Sequence, residues 1–320
     1  MNNHNDIEIA AGLIQKGKLV AFPTETVYGL GANAMDPLAV ARIFELKERP
    51  SFDPLIVHIA SVNDLKKLAG NVHENVLRLV DKFWPGPLTV VLPKSKLVPD
   101  IVTSGLPTVG IRMPKNDIAL MLIKKSGCPV AAPSANKFGQ LSPVCAEHVK
   151  KQLPQTDYIL DGGKTEVGIE STIVSVNGNV CSILRPGYIT AIDIENALPG
   201  TFIFDILPPK TNIAPGLLKS HYSPKKPLFI TSETADVLPS SSGLILHSRR
   251  NHNCKADKVI YTSVNYNYTE IAANLFSALH DMEEDEKISR IFIEPVEETG
   301  LGIAIMDRLK KAAYQYRATK

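Results

Sequence analysis

The chain has 320 residues, 44% of them hydrophobic and 21% charged, with a formal net charge of +2. That length is enough for two cores, and the near-neutral balance excludes a surface built as a uniform nucleic-acid coat, so any basic patch is local. The opening MNNHNDIEIA has no basic or apolar leader region, and no stretch approaches the ~18 apolar residues of a membrane span, so a cytoplasmic protein without a membrane partner is expected. Cys128, Cys145, Cys181 and Cys254 form no C-x-x-C pair, which suggests neither a zinc knuckle nor a disulfide framework.

In chain order, Asn5 and Asp6 are candidate caps for a helix whose apolar face is Ile7, Ala10, Ala11 and Ile14, with Gly17 as its stop. A strand over Leu19–Phe22 leads into PTETVYGLGANA. Asp36 and Pro37 read as N-cap and first position of a helix that delivers Lys47 at its end. The Pro-flanked loop ERPSFDP precedes the apolar run LIVHIA. Strands follow at LTVVLP and TVGIRMP, then a helix at DIALMLIKKSG and a strand across PVAAPSAN. Asn177-Gly178 between two β-branched runs is a strong hairpin signal, so antiparallel strands join an α/β sheet and make it mixed. The Pro-rich, polar segment 207–226 reads as a linker. Beyond it PLFIT, GLILHS, KVIYTS and RIFIEPV alternate with helical stretches as a second, smaller α/β domain.

Several motifs compete for the chemistry. GLGANA matches G-x-G-x-x-A after a strand, but the acidic residue that a dinucleotide site needs is misplaced: Asp53 lies in a loop before the next strand. No Walker A sequence is present. SANK, 134–137, matches the S-x-x-K of penicillin-recognising hydrolases, but its companion motifs fail and its setting is a loop. Lys47, Arg49, Arg112 and Arg185 each end an element beside a Pro or Gly turn, where α/β sheets build their sites. Converging, they would suit a polyphosphate and a carboxylate. Hydroxyls crowd the same loops, among them Thr24, Thr26, Ser51, Thr108, Ser134, Ser142, Ser171 and Thr172. By pattern alone His58, on an apolar strand, is more often a packed core residue than a ligand.

Taken together, FPTETVYGLG (22–31), KERPSFDPL (47–55), WPGPLT (84–89), VGIRMP (109–114), APSAN (132–136), ESTIV (170–174), LRPG (184–187) and PGLLKSHYSP (215–224) resemble the long-form threonylcarbamoyl-AMP synthases. The resemblance implies a YrdC-like α/β domain over 1–206, a twisted mixed sheet with flanking helices and a basic central cleft. It further implies a linker or lid over 207–226 and a Rossmann-like α/β domain over 227–320. It implies synthesis of L-threonylcarbamoyl-AMP from L-threonine, bicarbonate or CO2 and ATP, with Mg²⁺ held mainly by the triphosphate and no protein metal ligand. By the same resemblance Thr26, His58, Arg112, Ala132 and Ser171 line the threonine site, with Arg112 pairing the carboxylate. Lys47, Ser51, Thr108, Ser134, Asn136, Ser142, Arg185 and Tyr222 line the ATP site, and Lys47, Arg49 and Arg112 act on the reacting anions. The implied partners are downstream tRNA threonylcarbamoyl-transfer proteins, with weak tRNA contact. Asp53 stands where the family more commonly has Asn, placing a negative charge near Lys47 and Arg49. Two other readings remain open here: a carbamoyl-phosphate-dependent carbamoyltransferase and a non-catalytic double-stranded RNA-binding protein.

Overall fold

The computed structural model describes residues 4–205, 218, 220–231, 238–249 and 255–316. The first part of the chain runs α1 (His4–Gln15), β1 (Val20–Phe22), β2 (Gly29–Asn33), α2 (Pro37–Lys47), β3 (Ile56–His58), α3 (Val62–Leu68), α4 (Glu74–Phe83) and β4 (Leu88–Pro93). It continues through α5 (Asp100–Thr103), β5 (Thr108–Arg112), α6 (Asp117–Ser126), β6 (Val130–Ala131), α7 (Ala146–Gln152) and β7 (Tyr158–Ile159). Then come β8 (Thr172–Asn177), β9 (Val180–Arg185), α8 (Ala191–Ala197) and β10 (Ile203–Asp205). All ten strands form one mixed sheet in the order β10-β9-β8-β4-β5-β3-β6-β2-β1-β7.

Local chemistry explains the elements that matter for the site. Asp36 caps α2 by accepting from the Leu38 and Ala39 amides, Pro37 occupies its first turn, and Glu48 ends it in the left-handed region. That exit turn, closed by the Arg49 N–H to the Phe44 carbonyl at 2.9 Å, directs Arg49 inward. The hairpin expected at Asn177-Gly178 forms one residue on: Asn177 still pairs with Val180, and Gly178, at φ 61°, and Asn179 make the turn that joins β8 and β9 as an antiparallel pair.

Two expectations are corrected. The first helix already includes His4, so Asn5 and Asp6 lie in its first turn rather than ahead of it, and Asp6 accepts from the Tyr158 hydroxyl at 3.2 Å. The stretch PVAAPSAN forms ladder only at Val130–Ala131. Prolines at 129 and 133 donate nothing to a ladder, and beyond Ala131 the stretch keeps only an isolated bridge between Ser134 and Gly29, with the Leu30 and Ala135 amides donating to the Pro133 and Tyr28 carbonyls.

Alternation along the strands divides the sheet into two faces. Val57, Val90, Ile111 and Val174 point to a core shared with Ile43, Leu65, Leu79 and Ile194 from the helices. On the other face α1 and α6 cover only the β1–β2–β6 side, through Val20, Phe22 and Val130. Beyond them Ile56, Val91, Ile173 and Leu184 form a small separate apolar cluster. His58 and Arg112 are register partners on this same face, as the spacing from Ile56 and its partner Gly110 requires.

The second part of the chain comprises β11 (Leu228–Ile230), β12 (Ser242–Leu246), β13 (Lys258–Tyr261), α9 (Tyr268–Glu284), β14 (Arg290–Ile293) and α10 (Leu301–Ala312). Its four strands are parallel, in the order β11-β14-β12-β13. This sheet's core is continuous with the first domain and the linker: Val27, Leu141, Val144, Val167 and Ile169 of the former and Tyr222 of the latter pack into the same cluster as Ile271, Leu275, Phe276 and Leu309. At Gly168 the two backbones come so close that a Cβ would lie 2.4 Å from the Ala272 carbonyl oxygen. Residue 206, most of the linker (207–217 and 219) and Cys254 lie outside the described residues. Among the described residues no helix is long and apolar enough to cross a membrane.

Candidate active site

The glycines of YGLG are strand residues and do not form a phosphate loop. Gly29 and Gly31 lie on β2, and a Cβ on Gly31 would stand 2.7 Å from the Phe22 ring and 2.9 Å from Val130. Close packing therefore requires that glycine, and the G-x-G-x-x-A match is not a dinucleotide site.

The three polar residues ahead of them divide their work. Thr24 gives its only hydroxyl proton to the Val27 carbonyl at 2.7 Å and accepts from the Thr26 and Val27 amides. In the 2.9 Å contact between the two hydroxyls Thr26 must then donate. Thr26 thus presents lone pairs to the cavity it lines, which suits a donor such as an amino acid's ammonium or hydroxyl. Glu25 turns the other way, 2.6 Å from Arg112 Nη2, with both side chains buried. The contact lies off the hydrogen-bonding direction, and Arg112 Nε also has no hydrogen-bond partner among the described residues.

The cavity, with its mouth open to solvent, encloses about 560 Å³ of atom-free space. Thr26, Arg49, His58, Arg112, Ala132, Ser134, Ser171, Arg185 and Tyr222 line it, so nine side chains expected from the sequence meet on one wall system. Arg49 is held by Asp53 at 2.9 Å and by the Asp53 and Pro54 carbonyls. Arg185 donates to the carbonyl and hydroxyl of Ser171, whose hydroxyl also meets Thr89 at 2.9 Å. Burial pulls both guanidinium groups below their ordinary range. For Arg185, Tyr222 and Glu170 oppose that shift and Arg308 adds to it.

Three expected residues stand directly behind the wall. Lys47, 1% exposed, donates from Nζ to the Ser134 carbonyl at 2.6 Å and to the Asn136 carbonyl, and so fixes the loop that carries Ser134. Burial, and then the charge of Arg49, hold its ammonium pKa well below the ordinary lysine value. Asn136 ties the same loop through the Lys137 and Gln140 carbonyls. Ser142 donates to Glu170. Two others are not in the wall: Ser51 is exposed, and Thr108 lies on the face of β5 shared with Arg112 but four residues away.

Sequence reasoning missed Glu170, which lines the cavity, and placed His221 only as a linker residue. Tyr222 is 1% exposed and sits at φ 60°, a left-handed backbone that bulky residues rarely adopt. Its hydroxyl, His221 Nδ1 and His58 Nδ1 are buried without hydrogen-bond partners among the described residues. Orphaned polar atoms gathered around one cavity mark a place where a ligand supplies the missing partners.

Two families match this chain: the one described as Telomere recombination, of Sua5, YciO and YrdC, over residues 12–187, and the C-terminal domain of threonylcarbamoyl-AMP synthase over residues 189–314. The threonylcarbamoyl-AMP synthase of Pyrococcus abyssi is 44% identical over 328 residues, covering 98% of this chain and 95% of that one. The chain belongs to the threonylcarbamoyl-AMP synthase family. The Bacillus subtilis synthase is 41% identical over 97% of this chain and 94% of its own length. The crystal structure of P. abyssi Sua5 complexed with L-threonine superposes with a TM-score of 0.86 at 42% identity, covering 97% of this chain and 94% of that one. The likeness to this synthase family therefore runs through both sheets, and the mixed α/β fold is that of Sua5.

Outside the cleft, His148 and His280 stack at 3.7 Å between the domains, and with the exposed Glu284 they bring three metal-ligand-type atoms within 4.8 Å of one another. His148 Nδ1 accepts the Val144 N–H, which puts its proton on Nε2, and Lys151 holds Glu284 at 2.9 Å. Those bonds make the trio a hydrogen-bonded domain contact. His280 Nε2 meets the Ser142 carbonyl at 3.1 Å.

Burial, and then the charge of a neighbour, hold His58 and His280 at a pKa of about 3 against an ordinary 6.5. Each is neutral in the fold and protonates more readily once unfolded, so the stability it contributes is present above pH 6.5 and is lost as pH falls toward 3. Between about pH 7.5 and pH 5 each group accounts for a loss of about 2 kcal/mol. Urea unfolding of His280→Gln is expected to show a correspondingly shallower acid slope; parallel profiles for variant and parent would contradict this.

Proposed function

We propose that this protein makes L-threonylcarbamoyl-AMP from L-threonine, bicarbonate or CO2 and ATP, releasing pyrophosphate, as the first step of threonylcarbamoyladenosine formation in tRNA. The observation that carries the reading is a single cavity walled by Arg49, Arg112 and Arg185 together with the lone pairs of Thr26. Such a wall accepts an amino acid and a polyphosphate side by side. Arg112 binds the threonine carboxylate through Nε, which has no hydrogen-bond partner among the described residues, and Thr26, His58, Ala132 and Ser171 shape the rest of that pocket. Arg49, Arg185, Ser134 and Tyr222 face the nucleotide, backed by Lys47, Asn136 and Ser142, while Ser51 and Thr108 extend the nucleotide path beyond the cavity.

The reaction brings two anions together. The threonine amine becomes a carbamate, and a carbamate oxygen attacks the α-phosphorus of ATP as pyrophosphate leaves. Fixed cations in a water-poor site reduce that repulsion, and positioning replaces any protein nucleophile. Among the described lining residues the one carboxylate, Glu170, is already engaged by Ser142 and Arg308, so Mg²⁺ is held mainly by the triphosphate. His221 and Tyr222 line the cleft, and the segment 207–226, which joins the 1–206 and 227–320 domains, serves as a lid that keeps water from the carbamate and the mixed anhydride. Downstream threonylcarbamoyl-transfer proteins take the product, and contact with tRNA is weak.

Purified protein incubated with ATP, Mg²⁺, threonine and bicarbonate, without tRNA, is expected to release pyrophosphate only when threonine and bicarbonate are both present. Release without threonine, or none under any of these conditions, would overturn the reading; turnover of carbamoyl phosphate would replace it with carbamoyl transfer.

A further inference from the structure

The largest fully buried side chain among the described residues belongs to Arg308, on α10 of the second domain. It is 0% exposed and reaches across the domain boundary. Its Nε donates to Glu170 Oε2 at 2.8 Å, Nη2 to the Glu170 carbonyl at 3.3 Å, and Nη1 to the Pro186 carbonyl at 2.8 Å and to Asp307. Its guanidinium carbon lies 5.4 Å from the centre of the Tyr222 ring. The other Glu170 oxygen accepts from Ser142. One side chain thus grips Glu170 and the ring of Tyr222, which line the cavity, and Pro186, which follows the lining residue Arg185.

Charge explains why such a grip is needed. Glu170 is a carboxylate in the wall of a site proposed for a triphosphate, and an unneutralised carboxylate there would repel it. Arg308 cancels that charge, and by fixing Glu170 it fixes the direction of the Ser142 hydroxyl. Its bond to Pro186 holds the turn that follows Arg185.

We infer that Arg308 is a positioning residue for nucleotide: the second domain completes the ATP subsite chiefly by neutralising Glu170, the acceptor of the Ser142 hydroxyl, and its contacts with Pro186 and Tyr222 contribute a minor part. This rests on the function proposed above. It also gives the C-terminal domain a defined part in the reaction.

The test is calorimetric titration of the full chain with a non-hydrolysable ATP analogue and, separately, with threonine. Arg308→Gln is expected to weaken analogue binding about tenfold or more while leaving threonine affinity within about twofold. Adding Glu170→Gln removes the charge that needed a partner and is expected to restore analogue binding to within about threefold of the parent. A merely structural role would weaken both ligands together without rescue, and that outcome, or unchanged analogue affinity, overturns the inference. Should Arg308→Gln fail to fold, Glu170→Gln alone carries the test: it is expected to bind the analogue at least as tightly as the parent, and a loss of about tenfold would overturn the inference. A parent protein that binds threonine but no analogue would remove the proposed function and this inference with it, whereas failure confined to the variants removes the inference alone.

Discussion

Arg112→Ala is expected to raise the threonine concentration for half-saturation by about a hundredfold or more. Two charge-assisted hydrogen bonds to a carboxylate contribute roughly 1.5–3 kcal/mol each in a desolvated site. Arg112 is suited to that role because Glu25 lies against Nη2 from behind and leaves Nε without a partner among the described residues. The substitution also strands Glu25, 3% exposed, as a buried carboxylate without its cation, at a cost of about 3–5 kcal/mol of stability. The two effects separate in a double variant. Glu25→Gln with Arg112→Met removes both charges, so urea unfolding is expected to recover most of the lost stability while threonine binding stays as weak as in Arg112→Ala. Nucleotide binding should change little in either protein. Calorimetry with threonine decides the matter: retention of near-parental affinity in Arg112→Ala would remove Arg112 from the amino-acid pocket.

How much of this was legible in the sequence depended on the range of the interaction involved. Signals confined to a few residues translated directly. Asp36-Pro37 started α2, and the signal at Asn177-Gly178 marked the β8–β9 hairpin to within one residue, because capping and turn geometry are decided within about four residues. The four strands of the second domain were equally plain, each a short apolar run between polar segments. The stretch PVAAPSAN misled because its apolar pattern resembles a strand, whereas Lys47, some ninety residues away, holds its second half through the carbonyls of Ser134 and Asn136. Proximity to the cations did reveal the cleft, since residues at strand ends converge in an α/β sheet. His58 was ambiguous for a physical reason: it is both a buried strand residue and a cavity wall, and periodicity reports only the first. Glu170 and Arg308 were beyond reach, because nothing local marks two charges 138 residues apart as partners.

Asp53→Asn is expected to make the free protein less stable and its response to ATP larger. Asp53 and Arg49 form a 2.9 Å ion pair with both side chains only 4% exposed, so replacing the carboxylate by an amide leaves the buried guanidinium without that counter-charge, still bonded to the Asp53 and Pro54 carbonyls. Breaking a buried pair by removing one partner costs about 3–5 kcal/mol. Burial, the largest influence, pushes the Asp53 carboxyl up, and Arg49 and then Lys47 oppose that shift. The same carboxylate supports the charge on Lys47, which burial and Arg49 suppress. In Asp53→Asn the free cleft therefore holds a strained Arg49 and a Lys47 that gives up its proton more readily. Triphosphate supplies the counter-charge that both have lost, so part of the lost stability returns on binding. Thermal unfolding with and without Mg²⁺-ATP measures this: a lower midpoint for the free variant, and an upward shift on adding ATP that exceeds the parent's, are the expected results. Equal shifts in the two proteins would mean that Arg49 does not face the nucleotide, and its pairing with Asp53 would then serve only to close the loop after α2.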